Sequence, residues 1–213
     1  MENKNLPGVI SISQHKLGIR RTRKNCAVFF LIIIGLLFLD GMRLRLKIQD
    51  YQLREQEFEQ SKRELRHYQL KEKLLSILRE KPLTLSQGLD VSNVILLEER
   101  VPTTMILGIL EQESKFKVDA VSYKGASGIA QVMPSTFKMF APNPLIKNYM
   151  DPAESTRTAL NYLAILRKEH RGWNTALRVY QAGPDNAGNK AFDWYPKAVL
   201  TRVARYERYF LEQ

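Results

Sequence analysis

Hydrophobic and polar positions divide the chain into stretches of different pattern. An uncharged run of 14 residues, CAVFFLIIIGLLFL (26–39), follows the basic cluster RRTRKN (20–25). A stretch rich in Glu, Gln, Lys, Arg and Leu, without Gly or Pro, then occupies 43–81. Beyond it, apolar positions recur at helical spacing, without the sustained alternation typical of strands. The pattern predicts an all-α (mainly α) chain: a basic tail (1–25), an apolar segment (26–42), a helical spacer (43–81) and a helical domain (82–213).

The apolar run is shorter than the roughly 20 residues of an ordinary transmembrane helix, and its length is also typical of a signal-peptide core. No small-x-small cleavage site follows in DGMRLRL, and Cys26 precedes the run, whereas a lipoprotein cysteine would follow it. Lys24 and Arg43 can extend toward the headgroups on either side. We therefore predict a single-pass, uncleaved anchor at 26–42 rather than a buried core helix. The basic residues before it predict a cytoplasmic N-terminus, with residues after 42 on the other side.

The spacer at 43–81 has a partial seven-residue repeat of apolar positions. The repeat is broken at Glu72, and its members are Leu44, Ile48, Tyr51, Phe58 and Leu65. Self-association as a coiled coil and a solvated, charged spacer helix both remain open. A straight helix of this length would span about 55 Å.

Charge and cysteine usage exclude several classes of protein. The net charge is +11, but residues 82–213 carry only +3 of it, whereas a nucleic-acid-binding protein concentrates positive charge on its folded module. We therefore predict no nucleic-acid partner. The single Cys26 excludes an intrachain disulfide, and His15, His67 and His170 lack ligand spacing. We predict neither a metal nor another cofactor.

Helix signals divide the domain into short helices joined by turns. Pro82 ends the spacer, and Thr84 or Ser86 can cap the next helix. Asp151 and Asn174 are predicted N-caps. The predicted helices cover 92–101, 103–114, 134–140, 152–168, 174–181 and 195–210.

Three acids lie in the segment ILEQESKFKVDAVSYKGASGIAQVMPST (109–136). Glu111 and Glu113 are two residues apart, about 200° around a helix, so they cannot act as a pair. Asp119 lies outside the Gly-rich turn. Glu113 is at the predicted helix end, where the chain's exit opens a cleft, and it is the candidate for chemistry.

The residues around Glu113 resemble a known family. ES (113–114), GASGIAQVMPST (125–136) and YQAG (180–183) are similar, in order and spacing, to the motifs E-S, G-A-x-G-L-M-Q-x-M-P-x-T and Y-N-A-G of lytic transglycosylases of the soluble-lytic-transglycosylase (SLT) type. That family cleaves peptidoglycan and has a goose-lysozyme-like fold. The resemblance covers roughly 94–206.

The resemblance implies roles for individual residues. It implies that Glu113 is catalytic and that Tyr180 reaches its carboxylate. It further implies a substrate-binding group, in which Ser122, Gln131 and Met133 shape the cleft; the complete group is Ser114, Ser122, Gln131, Met133, Tyr180 and Gln181.

Some positions depart from the family pattern. Ile129 and Ala130 stand where Leu-Met is usual, and Gln181 replaces the usual Asn. In the fourth motif, Tyr-Val-x-x-Val, Val199 occupies the tyrosine position, which leaves Tyr195 or Tyr206 for that role.

The chemistry is consistent with a single acid. Cleaving a β-1,4 glycosidic bond needs a proton for the leaving oxygen and a group that stabilises the oxocarbenium ion. One acid suffices if the N-acetyl group of muramic acid stabilises the cation and the C6 hydroxyl then closes on C1 to give a 1,6-anhydro product. Met133, Ile129 and Tyr180 are suitable apolar walls to keep Glu113 protonated near neutral pH.

The predicted function is therefore a lytic transglycosylase that acts on peptidoglycan glycan strands at the MurNAc–GlcNAc bond. Its anchor would lie in the inner membrane, with the catalytic domain facing the periplasm. Two alternatives remain open: a hydrolytic muramidase, and a non-catalytic, glycan-binding assembly factor. For each of these three functions, residues 43–81 are available to bind envelope-spanning machinery or a second copy of the chain.

Overall fold

The computed structural model describes residues 12–141 and 148–212. Within them lie α1 (Ile12–Arg79), α2 (Leu85–Leu96), α3 (Thr103–Ser114), α4 (Pro134–Phe140), α5 (Pro152–His170), α6 (Trp173–Ala182) and α7 (Trp194–Glu212), with 3-10 turns at Pro184–Asn186 and Lys190–Phe192. In the described ranges, β-pairing is limited to isolated bridges of Ser127 with Val121 and Val132. The mainly helical class predicted from the sequence is confirmed.

The chain divides into two compact units, Met1–Arg63 and Glu64–Gln213. In the first, α1 carries ion pairs such as Arg54–Asp50, one turn apart, and its large apolar side chains between Val28 and Leu39 are exposed. The sequence predicts a spanning helix at 26–42, but no helix in the described ranges is long and apolar enough to cross a membrane. The predicted basic tail falls on residues 1–11, outside those ranges, and on the first turns of α1.

The predicted spacer is helical from 43 to the end of α1 at Arg79. The apolar members of its partial repeat, Leu44, Ile48, Tyr51, Phe58 and Leu65, are all exposed. Exposure is compatible with both a solvated helix and a coiled-coil seam, so the two interpretations of the spacer stay open.

The hydrophobic core of the second unit begins inside α1. Leu74, Ile77 and Leu78 are buried in it, N-terminal to the domain boundary predicted at 82. Lys73 Nζ donates to the carbonyl of Phe210, 2.7 Å away, and this bond joins the last turns of α1 to α7. The end of the long helix is therefore part of the folded domain.

Helix α3 is the centre of this core. Its residues Ile106, Leu107, Ile109 and Leu110 are completely buried, and α7 packs against it more extensively than any other described helix does. A helix whose central residues are all buried is rigidly held by its neighbours. Whatever side chain its last turn presents is consequently fixed in position.

The helix ends follow the local sequence, with two differences from prediction. Thr84 and Gln87 form a reciprocal capping box, so α2 begins at Leu85 rather than at 92. Asp151 caps α5 as predicted, accepting from the Glu154 amide at 2.8 Å. The prediction of Asn174 as an N-cap is wrong, because α6 begins one residue earlier and Gly172 is its cap.

Candidate active site

The last turn of α3 carries Glu113 and Ser114. The helix stops because Lys115 and Phe116 adopt left-handed conformations, with φ of 53° and 64°. Ser114 is buried, and its hydroxyl donates to the carbonyl of Ile129 at 2.7 Å. Ser114 therefore joins the end of α3 to the Gly-rich turn, and its predicted contact with substrate stays a prediction.

The Gly-rich turn is held by its own backbone. The amide and carbonyl of Ser127 pair with those of Val132 at 3.1 and 3.2 Å. Ser122 belongs to the same turn, because its hydroxyl accepts from the Ala126 amide at 3.0 Å. Gln131 has a φ of 47°, and its side-chain amide donates to the carbonyls of Ala120 and Gly128, both at 3.0 Å. These bonds give Ser122 and Gln131 a role in shaping the turn.

Two glycines of the turn have positive φ for different structural reasons. Gly125 has a φ of 85° and open space where a side chain would begin. Gly128 has a φ of 76°, and a Cβ there would lie 2.3 Å from the carbonyl oxygen of Tyr149. The backbone at Gly128 thus packs directly against the segment preceding α5.

Glu113 accepts a hydrogen bond on Oε1 from the hydroxyl of Tyr195, at the start of α7. Burial raises the pKa of Glu113 to about 7, although the Tyr195 bond opposes this rise. Burial also raises the pKa of Tyr195 well above its usual value, as does the charge of Glu113. At neutral pH the tyrosine is therefore a donor, and Glu113 is divided between acid and carboxylate.

Tyr180 does not make the contact that the sequence predicts. Its hydroxyl donates to the carbonyl of Ala130 at 2.9 Å, and its ring lies 5.7 Å from that of Tyr162. Burial raises its pKa, and the charge of Glu113 adds to the rise, so the two residues are neighbours. The tyrosine that donates to the carboxylate of Glu113 is Tyr195, and Tyr180 lies beside this pair without bonding to it.

The remaining predicted binding residues are accessible. Met133 precedes α4 and is 38% exposed, and Gln181 is exposed near the end of α6. Ile129 and Ala130, at the positions that depart from the family pattern, are completely buried. Met133 and Gln181 are therefore accessible to a ligand, and their contact with substrate stays a prediction, whereas Ile129 and Ala130 belong to the core.

The sequence left Tyr195 and Tyr206 as alternatives, and the structure separates them. Tyr206 donates to Glu111, whereas Tyr195 donates to Glu113. The signal for Tyr195 is the apolar stripe of α7, since Tyr195, Val199 and Val203 are spaced by four residues and all are buried. Tyr206, three residues after Val203, is also buried, so the stripe places both tyrosines on the face toward α3 and does not say which of them contacts Glu113.

A cavity of about 700 Å³ between α6 and α7 is lined by Arg178, Asp193 and Lys197 together with apolar residues of α7. Arg178 and Asp193 form an ion pair at 3.0 Å across its edge. Glu113 is not among its lining residues, so this cavity does not contain the acid that the motifs indicate. Among the side chains that the structure describes, no three His, Cys, Asp or Glu could together hold a metal ion.

Comparison with known proteins gives a consistent result. Residues 90–195 match the sequence profile of the family described as transglycosylase SLT domain. Two relatives are named membrane-bound lytic murein transglycosylase C. The one from Histophilus somni (strain 2336) is 30% identical over 125 residues, which cover 46% of this chain and 34% of the relative. The one from Actinobacillus pleuropneumoniae serotype 5b (strain L20) is 38% identical over 117 residues, 48% of this chain and 32% of the relative. This chain thus spans about a third of these relatives.

The fold also has a counterpart among solved structures. The 70-kDa soluble lytic transglycosylase, in its complex with bulgecin A, superposes with a TM-score of 0.50 at 22% identity. The match covers 60% of this chain and 26% of the other. At this identity the likeness concerns the fold.

Proposed function

We propose that this chain, which belongs through residues 90–195 to the transglycosylase SLT domain family, is a peptidoglycan lytic transglycosylase with Glu113 as its general acid and base. The observation that carries the proposal is the state of Glu113, whose pKa burial raises to about 7. A carboxyl group that keeps its proton near neutral pH is what protonation of a glycosidic oxygen requires. The relatives' names support the same reaction.

The reaction balances with this one carboxyl group. The proton of Glu113 passes to the oxygen that leaves C1 of MurNAc, and the C1–O bond breaks. The substrate's own acetamido oxygen stabilises the cation at C1. The C6 hydroxyl then attacks C1, and its proton returns to Glu113, so a 1,6-anhydro ring forms without water. Tyr195 donates to Oε1, which leaves the second carboxyl oxygen to exchange the proton.

Product analysis tests this proposal. The purified full chain is incubated with intact sacculi, and the released fragments are identified by mass spectrometry. We expect muropeptides with 1,6-anhydro ends. Reducing ends would instead identify a hydrolytic muramidase, and no release at all would favour the non-catalytic, glycan-binding assembly factor.

Glu113→Gln is the companion variant, and Asp119→Asn is its matched control. Both remove one carboxylate from the same segment, but Asp119 is exposed. We expect Glu113→Gln to abolish release and Asp119→Asn to retain it. A folded Glu113→Gln protein that still cleaves sacculi would refute the assignment of Glu113.

Attachment to a membrane through 26–42 is also proposed, as a single-pass anchor in the inner membrane with the catalytic domain in the periplasm. It is supported by the exposed apolar side chains between Val28 and Leu39 and by relatives named membrane-bound. The test is alkaline carbonate extraction of membranes from cells that express either the full chain or a chain lacking 28–39. We expect the full chain in the pellet and the deleted chain in the supernatant; equal extraction of both would contradict the anchor.

The exposed repeat of residues 43–81 is proposed as a surface for self-association or for envelope-spanning machinery. Cross-linking of the full chain in membranes separates these two: a crosslinked dimer supports the first, and heterologous adducts support the second.

A further inference from the structure

Helices α3 and α7 cross in direct contact at Gly108. A Cβ at this glycine would lie 3.1 Å from Cγ2 of Val203 and 3.2 Å from the carbonyl oxygen of Val199. The missing side chain lets the two backbones approach closely. This contact fixes the separation of the two helices where they cross.

Two carboxylates in the last turns of α3, both after Gly108, contact α7 at points that lie before and after this crossing along α7. Glu113 accepts from Tyr195, four residues before Val199. Glu111 accepts from Tyr206, three residues after Val203. The two bonds therefore hold α7 at two well-separated points, Tyr195 and Tyr206, against one end of α3, and together they oppose rotation of α7 on α3.

The Glu111 end is an ion-pair cluster. Arg205 donates to the same carboxylate, and Nε of Arg202 lies 4.0 Å from it. Burial by itself would raise the pKa of Glu111, but the bonds from Arg205 and Tyr206 and the charges of Arg205 and Lys81 hold it below its usual value. Glu111 is therefore ionised at the pH at which Glu113 keeps much of its proton.

We propose that Glu111 is a positioning residue: its bonds to Tyr206 and Arg205 set the rotation of α7 on α3 that keeps the Tyr195 hydroxyl on Glu113. The inference rests on the proposed function, since it concerns the residue assigned as acid and base. Glu111 acts only through α7 and Tyr195. Sequence spacing had set this residue aside, because it faces away from Glu113 on α3.

A rotation of α7 and the loss of the Glu111 charge by itself would shift the pKa of Glu113 in opposite directions. The Tyr195 bond lowers the pKa of Glu113, so a loosened α7 weakens that bond and raises the pKa. Removing the negative charge of Glu111, with the helices unmoved, would instead stabilise the Glu113 carboxylate and lower the pKa. The other titratable group facing Glu113 is Tyr180 from α6, which burial keeps neutral. Arg202, also on α7, acts on Tyr195.

The experiment compares three variants of the full chain. Glu111→Gln removes the charge, and Tyr206→Phe removes a hydrogen bond without changing any charge. Tyr209→Phe is the matched control, because Tyr209 also bonds from α7, at 2.8 Å to Ser76 on α1, but not to α3. Turnover on sacculi gives kcat, KM and the pH–rate profile. Carbon-13 NMR of labelled glutamate carboxyl groups gives the pKa of Glu113 directly.

We expect Tyr206→Phe and Glu111→Gln to lower kcat by about tenfold or more with little change in KM. We also expect both variants to raise the pKa of Glu113 by about half a pH unit or more, and to move the alkaline limb of the pH–rate profile upward by the same amount. Tyr209→Phe should change neither. The proposal is overturned if Tyr206→Phe behaves like Tyr209→Phe, or if Glu111→Gln lowers the pKa of Glu113.

The NMR titration separates this inference from the proposed function. A wild-type chain that releases no fragments from sacculi refutes the enzyme. The Glu113 titration in the three variants still supports or overturns the positioning role in that case. Circular dichroism at each pH verifies that the variants are folded, and an unfolded Glu111→Gln protein leaves Tyr206→Phe as the deciding variant.

Discussion

Replacing Glu113 by glutamine should stabilise the fold more as the pH rises. Glutamine has the same shape and can still accept from Tyr195, but it never ionises. In the wild type, Glu113 must lose its proton at a half-buried position where desolvation opposes the charge, at a pKa of about 7 instead of the usual 4.5. The wild type therefore bears a cost at alkaline pH that the variant lacks.

The size of this cost follows from linkage between protonation and folding. One pKa unit is worth about 1.4 kcal/mol, so a rise from 4.5 to about 7 corresponds to about 3 kcal/mol. Below pH 4.5 the carboxyl group is neutral in both states, and the stabilisation that goes with its raised pKa is fully present. Between 4.5 and 7 the unfolded chain releases the proton first and gains in relative stability. Above about 7 the loss is complete.

Urea unfolding from pH 4 to pH 8 measures the effect. The chain has two tryptophans, Trp173 and Trp194, and both lie in the compact unit Glu64–Gln213, so their fluorescence reports on that unit. We expect the free energy of unfolding of Glu113→Gln to exceed that of the wild type by about zero at pH 4 and by about 3 kcal/mol at pH 8.

Asp119→Asn provides the control, because this exposed side chain should change the free energy of unfolding by only about 0.5 kcal/mol at any pH. A difference between Glu113→Gln and the wild type that stays constant from pH 4 to pH 8 would refute the reasoning. It would mean that Glu113 titrates in the folded protein as it does in the unfolded chain.

Three further predictions concern the surroundings of this acid. Tyr195→Phe removes the bond that lowers the pKa of Glu113, so the alkaline limb of the pH–rate profile should move above about 7; an unmoved limb would show that the bond does not tune the acid. Gly108→Ala should lower the free energy of unfolding in urea by about 1 kcal/mol. Overpacking against Val199 costs about 1–3 kcal/mol, and the higher helix propensity of alanine offsets about 1 kcal/mol of it. A more stable variant would contradict the close crossing. Thr84→Ala breaks the capping box of α2 and should cost about 1 kcal/mol by thermal melting, and an unchanged melting temperature would count against that cap.

Local signals in the sequence predict the helix ends well where a proline or a capping side chain marks them. Pro134 and Phe140 bound α4 as expected, and Asp151 caps α5. Asn174 failed because a good capping residue is only a tendency, and the preceding Gly172 was available in an extended conformation. Pro82 ends the helical pattern and so predicts a domain boundary, but the burial of Leu74 shows that the core begins before it.

The site was predictable in part. Glu113 follows from its motif and from its position at the end of α3. The resemblance implies Tyr180 as its partner and leaves Tyr195 and Tyr206 open for the fourth motif. The contact with Tyr195 is not specified by the sequence, because it joins residues 82 positions apart and depends on how α7 crosses α3. Glu111 likewise gains its importance from α7, which spacing along α3 does not include. Contacts set by helix packing angles lie beyond what periodicity can specify.

The two glycines of the turn should leave different marks in evolution. Gly125 needs only a positive φ and has open space around it, so descendants of this chain can carry Asn or Asp there at modest cost. Gly128 meets the Tyr149 carbonyl, so every larger residue demands that the segment before α5 move with it. Substitutions at Gly125 should therefore accumulate independently of other positions. A substitution at Gly128 should be tolerated only after a change in the segment before α5 has made room for the side chain.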